Sequence, residues 1–148
     1  MTSLWMVVAL TVASGLAACG SSEPAGTENA AAMQSAVAKD VRLEEFQRLM
    51  AQEGALLIDV RTEGEWEAGH IEGAAFINFQ SPDFSDRMAA LPTDRPVLLY
   101  CASGNRSGKA MAILNRAGHP EIYNLLGGIR AWQGAGNAVV HTPPVEIQ

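Results

Sequence analysis

Cys101 stands at the head of the segment Cys101-Ala102-Ser103-Gly104-Asn105-Arg106-Ser107, directly after the apolar run Val97-Leu98-Leu99-Tyr100. The run reads as a buried strand that ends on a thiol. A loop of small residues follows, and a helix is predicted from about Ser107. In an α/β fold this order of elements makes an anion cradle, because loop N–H groups and a helix N-terminus converge on one point. The same surroundings favour thiolate over thiol. The chemistry on offer is nucleophilic attack by sulfur, with the cradle holding negative charge. Cysteine is also a common and inert core residue. Here Gly and Arg follow it rather than core side chains, which favours the reactive reading.

The elements that must position this loop alternate along the chain. Leu43 to Met50 places apolar residues at 43, 46, 49 and 50, the spacing of a helix. Ala55 to Val60 is a short apolar run and reads as a buried parallel strand. Glu63 to Ala68 is a short helix, and Ala75-Phe76-Ile77 a second strand. Phe84 to Leu91 is a weak helix, stopped by Pro92. Val97 to Tyr100 is the third and central strand. Ser107 to Ala117 is an amphipathic helix with Gly118 as its C-terminal stop. Ile122 to Leu125 is a fourth strand, and Gly128 to Gln133 a last helical turn or two. Strands alternating with helices predict an α/β fold with a mostly parallel sheet. Ligands of such sheets sit outside the carboxyl ends of the strands, where Cys101 lies.

The rest of the sequence bounds the setting. Residues 1–18 contain no Asp, Glu, Lys or Arg and hold the apolar stretch Leu4 to Leu10. That stretch is too short for a bilayer, which needs about 20 residues, and fits a cleaved signal segment. Residues 19–38, rich in Ala, Ser, Gly and Glu, are predicted to be a flexible linker with an r.m.s. reach of about 24 Å. Residues 39–148 are long enough for one domain with its own core. The formal net charge of −6 argues against nucleic acid as a partner and against binding anionic lipid through the protein surface. No Cys/His cluster has metal-ligand spacing.

Two resemblances sharpen these readings. Leu16-Ala17-Ala18-Cys19 is similar to the bacterial lipoprotein signal box. It implies cleavage before Cys19, lipid on that residue, and a protein anchored by lipid alone in the bacterial cell envelope, facing the periplasm or exterior. Cys101 would then be the single free thiol of the mature chain. From about Val41 to Gly134 the chain resembles a single rhodanese domain. Four segments carry the likeness: Leu57-Ile58-Asp59-Val60-Arg61, Gly69-His70-Ile71-Glu72-Gly73-Ala74, Tyr100 to Ser107, and Leu126-Gly127-Gly128-Ile129-Arg130-Ala131-Trp132. The resemblance implies a rhodanese-like fold: a five-stranded, mostly parallel sheet flanked by helices. It also implies sulfur transfer through a Cys101 persulfide, from a small donor such as thiosulfate to cyanide, a small thiol or a partner-protein thiol, with no cofactor. The related phosphatases place arginine six positions after cysteine. Here Arg106 is five positions on, a shorter ring that suits sulfur better than a tetrahedral oxyanion and so favours sulfur transfer over a phosphatase or arsenate reductase. A non-catalytic binding or carrier module is the remaining alternative, and the intact cysteine argues against it.

Within that frame Cys101 is the nucleophile. The N–H groups of Ala102, Ser103, Gly104, Asn105, Arg106 and Ser107 hold the thiolate and later the persulfide. Gly104 is placed where a Cβ would resist the backbone. Arg106 either binds an anionic donor or braces the loop through carbonyls or a carboxylate. Lys109 is read as a solvated helix-surface residue. Asp59 and Arg61 end the neighbouring strand at the crevice rim as supporting residues, with a structural hydrogen-bonding role for Asp59. His70 is read as structural, since persulfide transfer needs no base. His119 and His141 have no partner motif, and Trp66 and Trp132 are read as packing.

Overall fold

A computed structural model describes residues 36–148. The leader, Cys19 and the linker as far as residue 35 lie outside the described residues. The elements are β1 (Val37–Val41), α1 (Leu43–Met50), β2 (Leu56–Asp59), α2 (Glu63–Glu67), β3 (Ala75–Phe76), α3 (Phe84–Ala89), β4 (Val97–Tyr100), α4 (Asn105–Arg116), β5 (Glu121–Leu125) and α5 (Gly128–Gly134). The five strands form one sheet in the order β1-β5-β4-β2-β3. Every neighbouring pair is parallel. The strand that ends on Cys101 is therefore the middle one, with β5 and β2 on either side.

Alternation along β4 divides the core into two layers. Val97, Leu99 and Cys101 pack with Ile58, Phe84 and Met88 of α3, and Ala110 and Leu114 of α4. Leu98 and Tyr100 point the other way, against Phe46 and Leu49 of α1, Trp66 of α2 and Ile129 of α5. All four β4 residues are buried, as a central parallel strand requires.

Two boundaries differ from those read in the sequence. The linker expected to reach Ala38 gives way to β1 at Val37, where five residues pair with β5. Ala38, Lys39 and Asp40 are exposed on this edge strand, so no apolar run announces it. Helix α4 begins at Asn105, two residues before the expected Ser107. Gly104 takes a left-handed conformation (φ 93°) and turns the chain straight into the helix, with no capping side chain to mark the start.

After α5 the chain crosses back over the α1–α2 layer. His70 and Val140 exchange backbone hydrogen bonds of 3.0 and 2.8 Å, and Val145 N–H reaches the Ala74 carbonyl at 3.1 Å. Ile147 packs against the opposite core layer. No helix among the described residues is long and apolar enough to cross a membrane.

Candidate active site

Strand β4 delivers the Cys101 side chain to the α4 side of the sheet, directly under the helix N-terminus. The residue is only 1 % exposed. The Gly104 N–H donates to Sγ at 3.2 Å. Helix α4 starts so early that the Asn105, Arg106 and Ser107 N–H groups fall in its first turn, where no intrahelical carbonyl takes them. Burial pushes the Cys101 thiol up. The Ser107 hydroxyl and N–H and the Ser103 and Gly104 N–H groups outweigh it, and the pKa ends below the ordinary thiol value. Ser107 Oγ is buried and has no settled hydrogen-bond partner, so its rotor is available to the sulfur as charge develops.

A second turn, between β5 and α5, holds the loop in shape. The Ile129 N–H donates to the Cys101 carbonyl at 2.8 Å and the Arg130 N–H to the Ala102 carbonyl at 3.3 Å. In a trans peptide the C=O and the next N–H point in opposite directions. Drawing the Ala102 carbonyl toward α5 therefore turns the Ser103 N–H toward the sulfur. Asn124 Nδ2 ties the Gly104 carbonyl at 3.0 Å and Asp40 Oδ1 at 2.6 Å. The close approach depends on Gly128, which has φ 56°; a Cβ there would lie 2.2 Å from the Cys101 oxygen. The segment Leu126 to Trp132 carried only a likeness in the sequence, and the structure gives it this work.

Arg106 braces the rim through a carboxylate. Its Nη1 and Nη2 donate to Glu65 Oε2 and Oε1 at 2.7 and 2.6 Å. Glu65 also accepts from the Thr62 N–H at 3.1 Å and the Thr62 hydroxyl at 2.8 Å, closing a capping box on α2. The Arg106 guanidinium, assisted by Thr62, holds the Glu65 carboxyl at about 2. Glu65 is not among the residues the sequence marks for chemistry. The Thr62-x-x-Glu65 spacing shows the capping box, and nothing in it shows a partner on another helix.

Asp59 and Arg61 lie apart from the sulfur. Both are buried rather than at a rim, on the Tyr100 side of the sheet. Asp59 accepts from the Arg61 N–H and from Nε and Nη2, and Nη2 continues to the Gly69 carbonyl at 2.8 Å. The guanidinium carbon lies 5.8 Å from the Tyr100 ring centroid, and Tyr100 Oη accepts the Ile71 N–H at 3.1 Å. The pair supports the ends of β2 and β4 from behind. His70 stacks on Trp66 with centroids 3.5 Å apart and faces the Trp66 carbonyl and Thr142. Trp66 packs in the core, as read, and Trp132 is half-buried, its Nε1 bonded to the Ala138 carbonyl. Lys109 is exposed on α4. His119 is buried and without a hydrogen-bond partner, and His141 faces the Glu67 carbonyl at 2.9 Å. No group of three or more metal-ligating side chains exists among the described residues.

Comparison with known proteins agrees with this architecture. Residues 42–135 match the family model of the rhodanese-like domain. The chain is 42% identical over 101 residues to YqhL of Bacillus subtilis, covering 68% of this chain and 77% of that one. It is 40% identical over 94 residues to a sulfurtransferase of Allochromatium vinosum, covering 64% and 86%. A longer relative, the probable adenylyltransferase/sulfurtransferase MoeZ of Mycobacterium tuberculosis, is 43% identical over 76 residues, and the match spans 51% of this chain and 19% of that protein. A crystal structure of a rhodanese-related protein from Thermoplasma volcanium superposes with a TM-score of 0.61 at 24% identity, over 70% of this chain and 99% of that one. It shares the fold. With the sheet, the loop and the family match in register, the chain belongs to the rhodanese-like domain family.

Proposed function

We propose that the protein is a sulfurtransferase that carries sulfane sulfur as a persulfide on Cys101. The observation that supports this most is the convergence of loop and helix N–H groups on a buried thiol whose pKa is lowered. The Cys101 thiolate attacks the outer sulfur of a donor such as thiosulfate. A new S–S bond forms, the donor's S–S bond breaks, and sulfite leaves with the electron pair. The same N–H groups then hold the negative terminal sulfur. A thiophilic acceptor (cyanide, a small thiol or a partner-protein thiol) attacks that sulfur and restores the thiolate. No proton need move on the protein, which fits His70 being committed to Trp66 and Thr142. Relatives named sulfurtransferases support the same reading.

Intact-mass measurement on reduced protein, after exposure to a panel of sulfane donors, tests it. One sulfur atom is expected on the wild type, removed by excess cyanide or dithiothreitol, and none on Cys101→Ser. A folded thiol that accepts sulfur from no donor would favour the non-catalytic module. Comparable hydrolysis of an aryl phosphate would favour the phosphatase alternative.

The place of action is proposed to be the bacterial envelope, through lipid on Cys19. Full-length protein is then expected in the membrane fraction, and Cys19→Ala is expected to block lipidation. Recovery of unmodified wild type with residues 1–18 attached would refute this.

A further inference from the structure

We infer that Glu65 is a specificity-determining residue, and that it sets the site for organic persulfides of low charge, R–S–SH, against the dianion thiosulfate. The inference rests on the persulfide-transfer reading above and narrows it to a class of donor.

The first observation is access. Cys101 is 1 % exposed, so only the terminal sulfur of a donor reaches Sγ, and the remainder stays at the mouth. With thiosulfate that remainder leaves as sulfite, a dianion. A mouth built for it needs a cation whose charge is not already matched. The second observation is that Arg106, which also feels the Cys101 thiolate, has Glu65 as its main partner. Both of its terminal nitrogens engage the two oxygens of Glu65 at 2.6 and 2.7 Å. Glu65 stays charged, held at about 2 by that guanidinium first and by Thr62 as well. Freeing Arg106 for sulfite would leave the Glu65 carboxylate beside a dianion. On the other flank of the loop a groove past Ser103 and Asn105 contains Lys109, and with it the carboxylate of Asp40. Arg130, exposed at the start of α5, has no ion-pair partner among the described residues.

An organic hydropersulfide makes a smaller demand. The Cys101 thiolate attacks its terminal sulfur, and the Cys101 S–S bond forms as the R–S–S bond opens. The proton stays on the transferred sulfur, and R–S⁻ leaves with the electron pair. One negative charge enters the step and one leaves it, with no net oxidation or reduction.

The test measures loading of Cys101 by intact mass on the full reduced chain, with thiosulfate and with hydroxyethyl persulfide, whose organic part carries no charge. The readout is the ratio of the two loading rate constants. Removing one negative charge beside the leaving group in Glu65→Gln is expected to raise the thiosulfate-to-persulfide ratio about tenfold or more. Arg106→Gln added to it is expected to bring the ratio back down. A ratio unchanged or lowered in Glu65→Gln, with both rates falling together, would reduce Glu65 to a loop brace and overturn the inference. So would a selective loss of thiosulfate loading in Arg130→Gln. Should Glu65→Gln not fold, wild type carries the test. Sulfate, an inert dianion, is expected not to slow persulfide loading at matched ionic strength, and selective inhibition would reveal a dianion site. Failure of every donor to load wild type would sink the sulfurtransferase reading itself, a different outcome from an unmoved ratio.

Discussion

Adjacent strands β2 and β4 lead to two acidic side chains, Asp59 as the last residue of β2 and Cys101 just past the end of β4, and the surroundings treat the two oppositely. Asp59 receives Arg61 through backbone and guanidinium together, and the guanidinium's remaining reach ends on Gly69. The charge is cancelled inside the fold and both partners are buried. Cys101 receives N–H dipoles and only a shared counter-charge, because Arg106, which feels the thiolate, is bonded first to Glu65. Closed polar networks hold a structure together. Directed donors without a fixed occupant are prepared for a visiting atom. The contrast between these two strand ends separates scaffold from site more clearly than burial does, since both are buried.

Substitutions can break or sharpen that contrast. Cys101→Ser is expected to remove sulfur loading entirely, with little change in thermal unfolding, because the two side chains differ by one atom. Gly128→Ala forces a Cβ to within 2.2 Å of the Cys101 oxygen at φ 56°. Loop distortion is expected to lower transfer by about a hundredfold and stability by about 2–4 kcal/mol, read by loading rate and by denaturant titration. Asp59→Asn leaves Arg61 buried without its counter-charge, so a loss of about 3–5 kcal/mol is expected on unfolding. The pH midpoint for alkylation of Cys101 is expected to stay in place; a midpoint that moved with Asp59 would erase the division between the two strand ends. Ser107→Ala removes a donor that favours the thiolate. Iodoacetamide trapping is expected to show the midpoint rising, toward the free-cysteine value of about 8.5. The smallest effect concerns Glu65, whose folded pKa of about 2 lies below its unfolded value of 4.5. Its contribution to stability is present above the unfolded value and lost as pH falls toward 2. Unfolding of wild type and Glu65→Gln, compared from pH 5 down to 2, is expected to converge.

Much of this was legible in the residues. Val97 to Tyr100 declares a central strand by being apolar on every residue, and α4 by its helical spacing; both owe their pattern to local periodicity. The left-handed turn at Gly104 hid the helix start, because the usual Ser, Thr or Asp signal is replaced by a backbone conformation. The edge strand β1 reads as linker because Lys39 and Asp40 face solvent, and only pairing with β5 orders it. The Arg106–Glu65 pair joins α2 to α4, and contacts between distant elements leave no mark on sequence spacing. A position at the end of β2 suggests the crevice for Asp59 and Arg61. The pleat, which sends residue 59 to the face opposite Cys101, decides otherwise.

The clamp by the β5–α5 turn also dates the activity of the thiol during synthesis. A chain emerges from the ribosome N-terminal end first. Cys101 therefore precedes Gly128 and Ile129, the residues that fix the loop behind it, along the growing chain. Until they arrive, the loop amides have no imposed direction and the cysteine is an ordinary thiol. Reactivity is conferred by a segment made after the cysteine itself, so a chain that stops short of the β5–α5 turn carries only an ordinary thiol.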